Sequence, residues 1–121
     1  MGYYTYFSLR IDGASRSDVK KIWDYAREKC SCFIYVFGDE IPESCAVDVE
    51  EPNTWYYFLD DMVKISESFP HVLFVLHGEG DSPEDLWNAY FQNGKYQMCR
   101  AEIIYPEYDP SKMISFGEEE A

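Results

Sequence analysis

The run Val72 to Leu76 constrains this chain most, because it is apolar on both parities: Val72, Phe74 and Leu76 against Leu73 and Val75. A half-buried strand alternates, so this pattern predicts a central strand with both faces covered, closed by His77-Gly78. Further on, Asn93-Gly94 separates two segments rich in aromatic and apolar residues. Both central residues of a type I′ turn need positive φ, so this dipeptide predicts a two-residue hairpin joining 86–92 to the run from Lys95. Leu86, Trp87, Tyr90 and Phe91 would also make a helical stripe, but the turn favours the hairpin.

Upstream, Tyr3, Thr5, Phe7, Leu9 and Ile11 alternate with Tyr4, Tyr6, Ser8 and Arg10, which predicts a strand with a polar-tolerant second face. Asp12-Gly13 ends it. Ser15 and Asp18 then have the spacing of a capping box, with Asp in place of the usual Glu. Val19, Ile22, Trp23, Ala26 and Cys30 recur at helical spacing, so 16–29 reads as an amphipathic helix. The all-apolar Cys32 to Phe37 reads as a second strand ended by Gly38, and Trp55 to Leu59 looks strand-like. Val47 to Val49 suits a short edge strand. Asp60 or Asp61 is placed to cap a short helix reaching Ser68, with Met62, Ile65 and Phe69 inward.

These elements predict an α+β fold: a ferredoxin-like split βαβ antiparallel sheet with two helices on one face and an added C-terminal β-hairpin. The length of 121 residues suits one domain. It is expected over 1–110, with an acidic loop at 38–53 and a flexible acidic tail at 111–121.

Charge limits the partners. The net charge is −13, and residues 30–121 hold nineteen acids against four bases, whereas 1–29 hold six bases against four acids. Binding a phosphate backbone needs clustered Lys and Arg, so direct nucleic-acid binding fits poorly. A basic protein partner fits better. No apolar run approaches the roughly 18 residues of a membrane span. Tyr3 to Ile11 lacks the charged and apolar regions of a signal peptide, and a reduced, cytoplasmic setting is expected for the four cysteines.

Little here spells catalysis, and no cofactor is expected. Cys30 and Cys32 are one residue apart, closer than a zinc pair, and Cys45 and Cys99 stand alone, so no metal site is expected. His71 and His77, about 20 Å apart along one strand, cannot share a ligand. His77, with Glu79 and Asp81, is the weak catalytic candidate, a His at a sheet edge beside carboxylates. The Gly78-Glu79-Gly80 segment is no phosphate loop. A divalent ion among Glu79, Asp81, Glu84 and Asp85 would lack EF-hand spacing.

The segments WYYFLDDM, SFPHVLFVLHGEG and DLWNAYFQNGK, in that order over residues 55–105, resemble small proteins of phages and other mobile elements. They also resemble the YubB-type ferredoxin-like domain. The resemblance implies fold and genomic neighbourhood, and none of its motifs is catalytic.

The leading expectation is therefore a non-enzymatic, acidic protein-binding module. Its acids, set among exposed aromatics, would imitate the spaced charge of nucleic acid and inhibit a basic host nuclease, DNA-binding or defence protein. The expected interface is Asp39, Glu40, Glu43, Glu50, Glu51, Tyr56, Tyr57, Glu79, Asp81, Glu84 and Asp85. One alternative is a small-molecule-binding domain or small enzyme with a cleft at His77. Another is a self-assembling accessory protein, a homodimer paired through the edge of the terminal hairpin.

Overall fold

The computed structural model describes residues 4–117. Strand β1 (Tyr6–Asp12) is followed by helices α1 (Arg16–Lys29) and α2 (Ser31–Phe37), strand β2 (Ala46–Asp48), helix α3 (Phe58–Ser68) and strands β3 (Leu73–Glu79), β4 (Leu86–Gln92) and β5 (Lys95–Arg100). A 3₁₀ turn follows at Pro110–Lys112. The strands form one antiparallel sheet in the order β2-β1-β3-β4-β5. Leu73 to Leu76 therefore lies in the middle strand.

Phe7, Leu9 and Ile11 of β1, Phe74 and Leu76 of β3, and Trp87, Ala89 and Phe91 of β4 turn the same way and meet the helices in one core. The helices supply Val19, Ile22, Trp23, Phe33, Phe37, Met62 and Ile65. All three helices pack on this face. Among the described residues nothing packs over the other face, so the expected second cover over β3 is missing there. Val75 is nevertheless buried there, its cross-strand neighbours being Arg10 and Tyr90.

Two strand expectations are corrected. Cys32 to Phe37 is helix, not strand: Phe33, Val36 and Phe37 recur at three- and four-residue spacing and are buried, while Cys32 and Tyr35 are exposed. A run that is apolar throughout carries no period, so only packing decides its conformation. Trp23 fixes it, stacking edge-on against Phe33 at 5.0 Å while its Nε1–H donates to Gly38 O at 3.0 Å. Trp55 to Leu59 is likewise no strand, because α3 starts at Phe58. Nor do Asp60 and Asp61 cap α3. They lie in its first turn behind the N-cap Tyr57, and Asp61 instead accepts the Trp55 indole N–H at 2.8 Å.

The result is a mixed α+β fold with a five-stranded antiparallel sheet and three helices, whose element order is not the expected one. Strands β2 and β3 are both antiparallel to β1, hence parallel to each other, and α3 connects them across it. One split βαβ unit is thus present. The second strand of the expected unit has become α2.

Elsewhere the local signals hold. The capping box forms, with Ser15 Oγ accepting from Asp18 N and Asp18 Oδ2 from Ser15 N, each at 3.0 Å. Asn93 and Gly94 have φ of 50° and 78° and join β4 to β5. The turn is then stapled to α3, because the fully buried Ser66 accepts from Gly94 N at 3.0 Å and donates to Val63 O at 2.9 Å. The expected edge strand appears at Ala46–Asp48. Of the expected tail, residues 118–121 lie outside the described part, as does Tyr3 of the first strand.

Candidate functional site

One end of the sheet gathers most of the candidate residues. There β1 begins, β3 ends, β4 begins and β5 ends, as the pairs Tyr6↔Glu79, Glu79↔Leu86 and Trp87↔Arg100 show. Thr5 and Asn53 exchange backbone hydrogen bonds of 2.9 Å, which carries the chain from Glu50 and Glu51 to the same end. The 80–85 link closes on itself through Gly80 N to Asp85 O at 2.8 Å and Asp85 N to Ser82 O at 2.9 Å. Its acids are therefore presented by a compact loop.

Among these residues lies an aromatic recess of about 220 Å³, walled by Phe7, Trp55, Tyr56, Phe58 and Trp87, with Thr5, Met98, Asp85 and Arg100 at its margin. Its rings hold one another. Phe58 stacks on Trp87 at 4.9 Å and 16°, and Phe7 meets Trp55 and Trp87 edge-on at 5.4 and 6.2 Å. Trp87 reaches this position only because residue 78 is glycine: a Cβ there would lie 2.1 Å from the indole. Arg100 Nη1 reaches Asp85 Oδ1 at 3.1 Å, so the rim carries an ion pair. Tyr56 is 69% exposed and stands beside the opening. A ring-lined hollow suits a cationic side chain held over ring faces, and the acids on the segments meeting at this end of the sheet would draw it by charge.

The expected acidic interface is divided by the fold. Glu50 and Glu51 line a shallow groove with Tyr35, Val36, Val49 and Asn53, near the end that bears Glu79, Asp81, Glu84 and Asp85. Asp39 and Glu43 instead lie along α1. Arg27 Nε donates to Asp39 Oδ1 at 2.6 Å, and the Arg16 guanidinium donates to the carbonyls of Pro42 and Glu43. The basic helix and the first half of the acidic loop thus answer each other. Glu40 and Tyr57 are exposed, and neither lines the recess.

His77 sits on the open face. Its Nδ1 is 2.8 Å from Asn88 Oδ1, and its Nε2 is 3.7 Å from Glu79 Oε2. The register lines up Asp48, Ser8, His77, Asn88 and Cys99 across the five strands. Asp48, Ser8, His77 and Asn88 of this row, with Arg10, Val75 and Tyr90, border a hollow of about 220 Å³. Sequence reasoning named His77 but missed the row, which exists only through strand pairing. The recess was missed too, although aromatic content at Trp55–Phe58 and Trp87 was its signal.

His71 has a structural place. Its Nε2 lies 2.9 Å from Asp18 Oδ2. The Ser15 backbone N–H first, and His71 second, hold the Asp18 carboxyl down at about 2. The four cysteines are free thiols. Burial first, and then Asp61, pushes the Cys30 thiol up to about 11, a weak nucleophile at neutral pH. Among the described residues no group of three or more His, Cys, Asp or Glu could hold a metal ion, and no helix is long and apolar enough to cross a membrane.

Comparison of the chain with protein-family models, curated proteins and solved structures gives no match.

Proposed function

We propose that this chain is a non-enzymatic protein-binding module whose acidic sheet end takes a basic segment of a protein partner. The observation that carries this reading is the aromatic recess, with Asp85 at its margin and Glu50, Glu51, Glu79, Asp81 and Glu84 on the segments that meet at the same end of the sheet. Charge steers a basic partner toward this end, and an Arg or Lys side chain on the rings supplies the anchor. Carboxylates spaced over a compact end imitate nucleic-acid phosphates, so the partner class is a nuclease, DNA-binding or defence protein that the module would inhibit. The sequence resemblance to proteins of mobile elements supports the same class. The split βαβ unit around β1 supports a ferredoxin-like ancestry for the sheet.

The test uses the tryptophans of the recess. An arginine-rich peptide is expected to change Trp fluorescence on titration, with affinity falling as salt rises. Replacing Glu50, Glu51, Glu79 and Glu84 together by Gln should weaken binding at least about tenfold, or 1.4 kcal/mol. Equal affinity of variant and parent, or no response in either, removes the acidic end from consideration.

The open-face hollow favours a second reading, a small-molecule site at His77, because Arg10, Asp48, Asn88 and Tyr90 converge on it with the imidazole. A metabolite that raises the melting temperature of the parent but not of His77→Ala would support it.

A further inference from the structure

The last described segment, residues 101–117, departs from the body. After Ala101 N bonds Leu86 O at 2.9 Å, the hydrogen bonds of residues 102–116 stay within the segment itself, among Tyr108, Asp109, Pro110, Ser111, Lys112 and Met113. Its side chains are nonetheless those of a core. Ile103, Ile104, Tyr105, Met113, Ile114 and Phe116 are exposed, Ile104 at 80% and Phe116 completely. Such a density of exposed apolar groups on one segment marks an interaction site.

A receptor lies on the same molecule. Helix α3 packs over β3, β4 and β5, and beside β5 Leu59, Val63 and Tyr96, with Asp60 and Lys64, border an open groove of about 460 Å³. Tyr96 is 53% exposed there. Among the described residues strand β5 is also an edge of the sheet, with unpaired backbone on one side. The β5 edge and the arm differ in charge. Strand β5 carries Lys95, and Arg100 paired with Asp85, with Lys64 and Asp60 beside it, while residues 101–117 carry Glu102, Glu107 and Asp109 against Lys112.

We propose that two copies of this chain form a two-fold dimer, in which each 101–117 arm lies in the α3–β5 groove and along the β5 edge of the other copy. A second copy is the occupant because arm and groove are contiguous with one edge strand. A two-fold axis beside that edge satisfies both at once, the self-complementary contact of an isologous dimer. Pairing along the edge stops at Pro106, which has no N–H to give. The groove shares no lining residue with the aromatic recess, so this inference is independent of the reading above.

Sedimentation velocity on the full chain tests it. The parent is expected to be a dimer at micromolar concentration. Ile104→Asp/Phe116→Asp on the arm and Lys64→Glu/Lys95→Glu at the groove should each raise the dissociation constant at least about tenfold. All four positions are exposed, and unchanged circular dichroism melting identifies variants that keep the fold. Mixing the two variants should restore part of the dimer, because the mixed pair retains one intact arm in one intact groove. A parent that is monomeric throughout, a dimer that survives the arm substitutions, or a mixture that recovers nothing would each overturn arm exchange.

Discussion

At the level of single residues, Gly78 does the most with the least. It leaves space for Trp87 across the β3–β4 pair, where any Cβ would penetrate the indole. Gly78→Ala is expected to destabilise the fold by about 1–3 kcal/mol through overpacking, and to shift Trp emission as the Phe58–Trp87 stack is displaced. Denaturant titration followed by fluorescence reads both, and an unchanged spectrum would contradict the seating of Trp87. Asp18 carries a different prediction. Its carboxyl titrates near 2 in the fold, below its ordinary 3.8, because Ser15 N–H and His71 favour the charged form. A lowered folded value contributes stability at pH above 3.8, and that contribution disappears as pH falls toward about 2. Asp18→Asn should therefore flatten the loss of stability over that acid window, measured by urea unfolding across pH. The capping box was readable from Ser15 and Asp18. The part played by His71 was not, because it lies 53 residues away in the chain.

Among the elements, α2 shows how far a local pattern can mislead. The unbroken apolar and aromatic run Cys32 to Phe37 resembles a strand, and the segment has no side-chain cap to announce a helix. Phe33 decides the matter by fitting between Trp23, Phe37 and Trp55 at 5.0, 5.0 and 6.1 Å. Phe33→Ala should cost about 3–5 kcal/mol, the range for deleting a buried aromatic ring, with a loss of helical circular dichroism if α2 detaches. A cost below 1 kcal/mol would mean that α2 is not part of the core. The β4–β5 hairpin is the opposite case: both φ values at Asn93 and Gly94 are dictated by residue type, so its register was legible directly. Helix α1 was legible for a similar reason, since its buried residues keep a helical period between polar ones.

For the whole molecule, charge and topology have separate origins. The charge of −13 follows from composition, and its self-repulsion opposes the compact state. Raising monovalent salt from low to physiological concentration should raise the melting temperature, because screening weakens that repulsion. A melting point independent of salt would show that local pairs such as Arg27–Asp39 already compensate it. The sequence by itself determined the central strand, the capped first helix, the hairpin and the acidic surplus, because each depends on residues near one another in the chain. Only the tertiary structure decided that 31–37 is helical, that Glu50 and Glu51 part from Asp39 and Glu43, and that Trp55, Phe58 and Trp87 enclose one recess. Those outcomes depend on contacts between distant segments, where packing in three dimensions selects among conformations that local sequence leaves nearly equal.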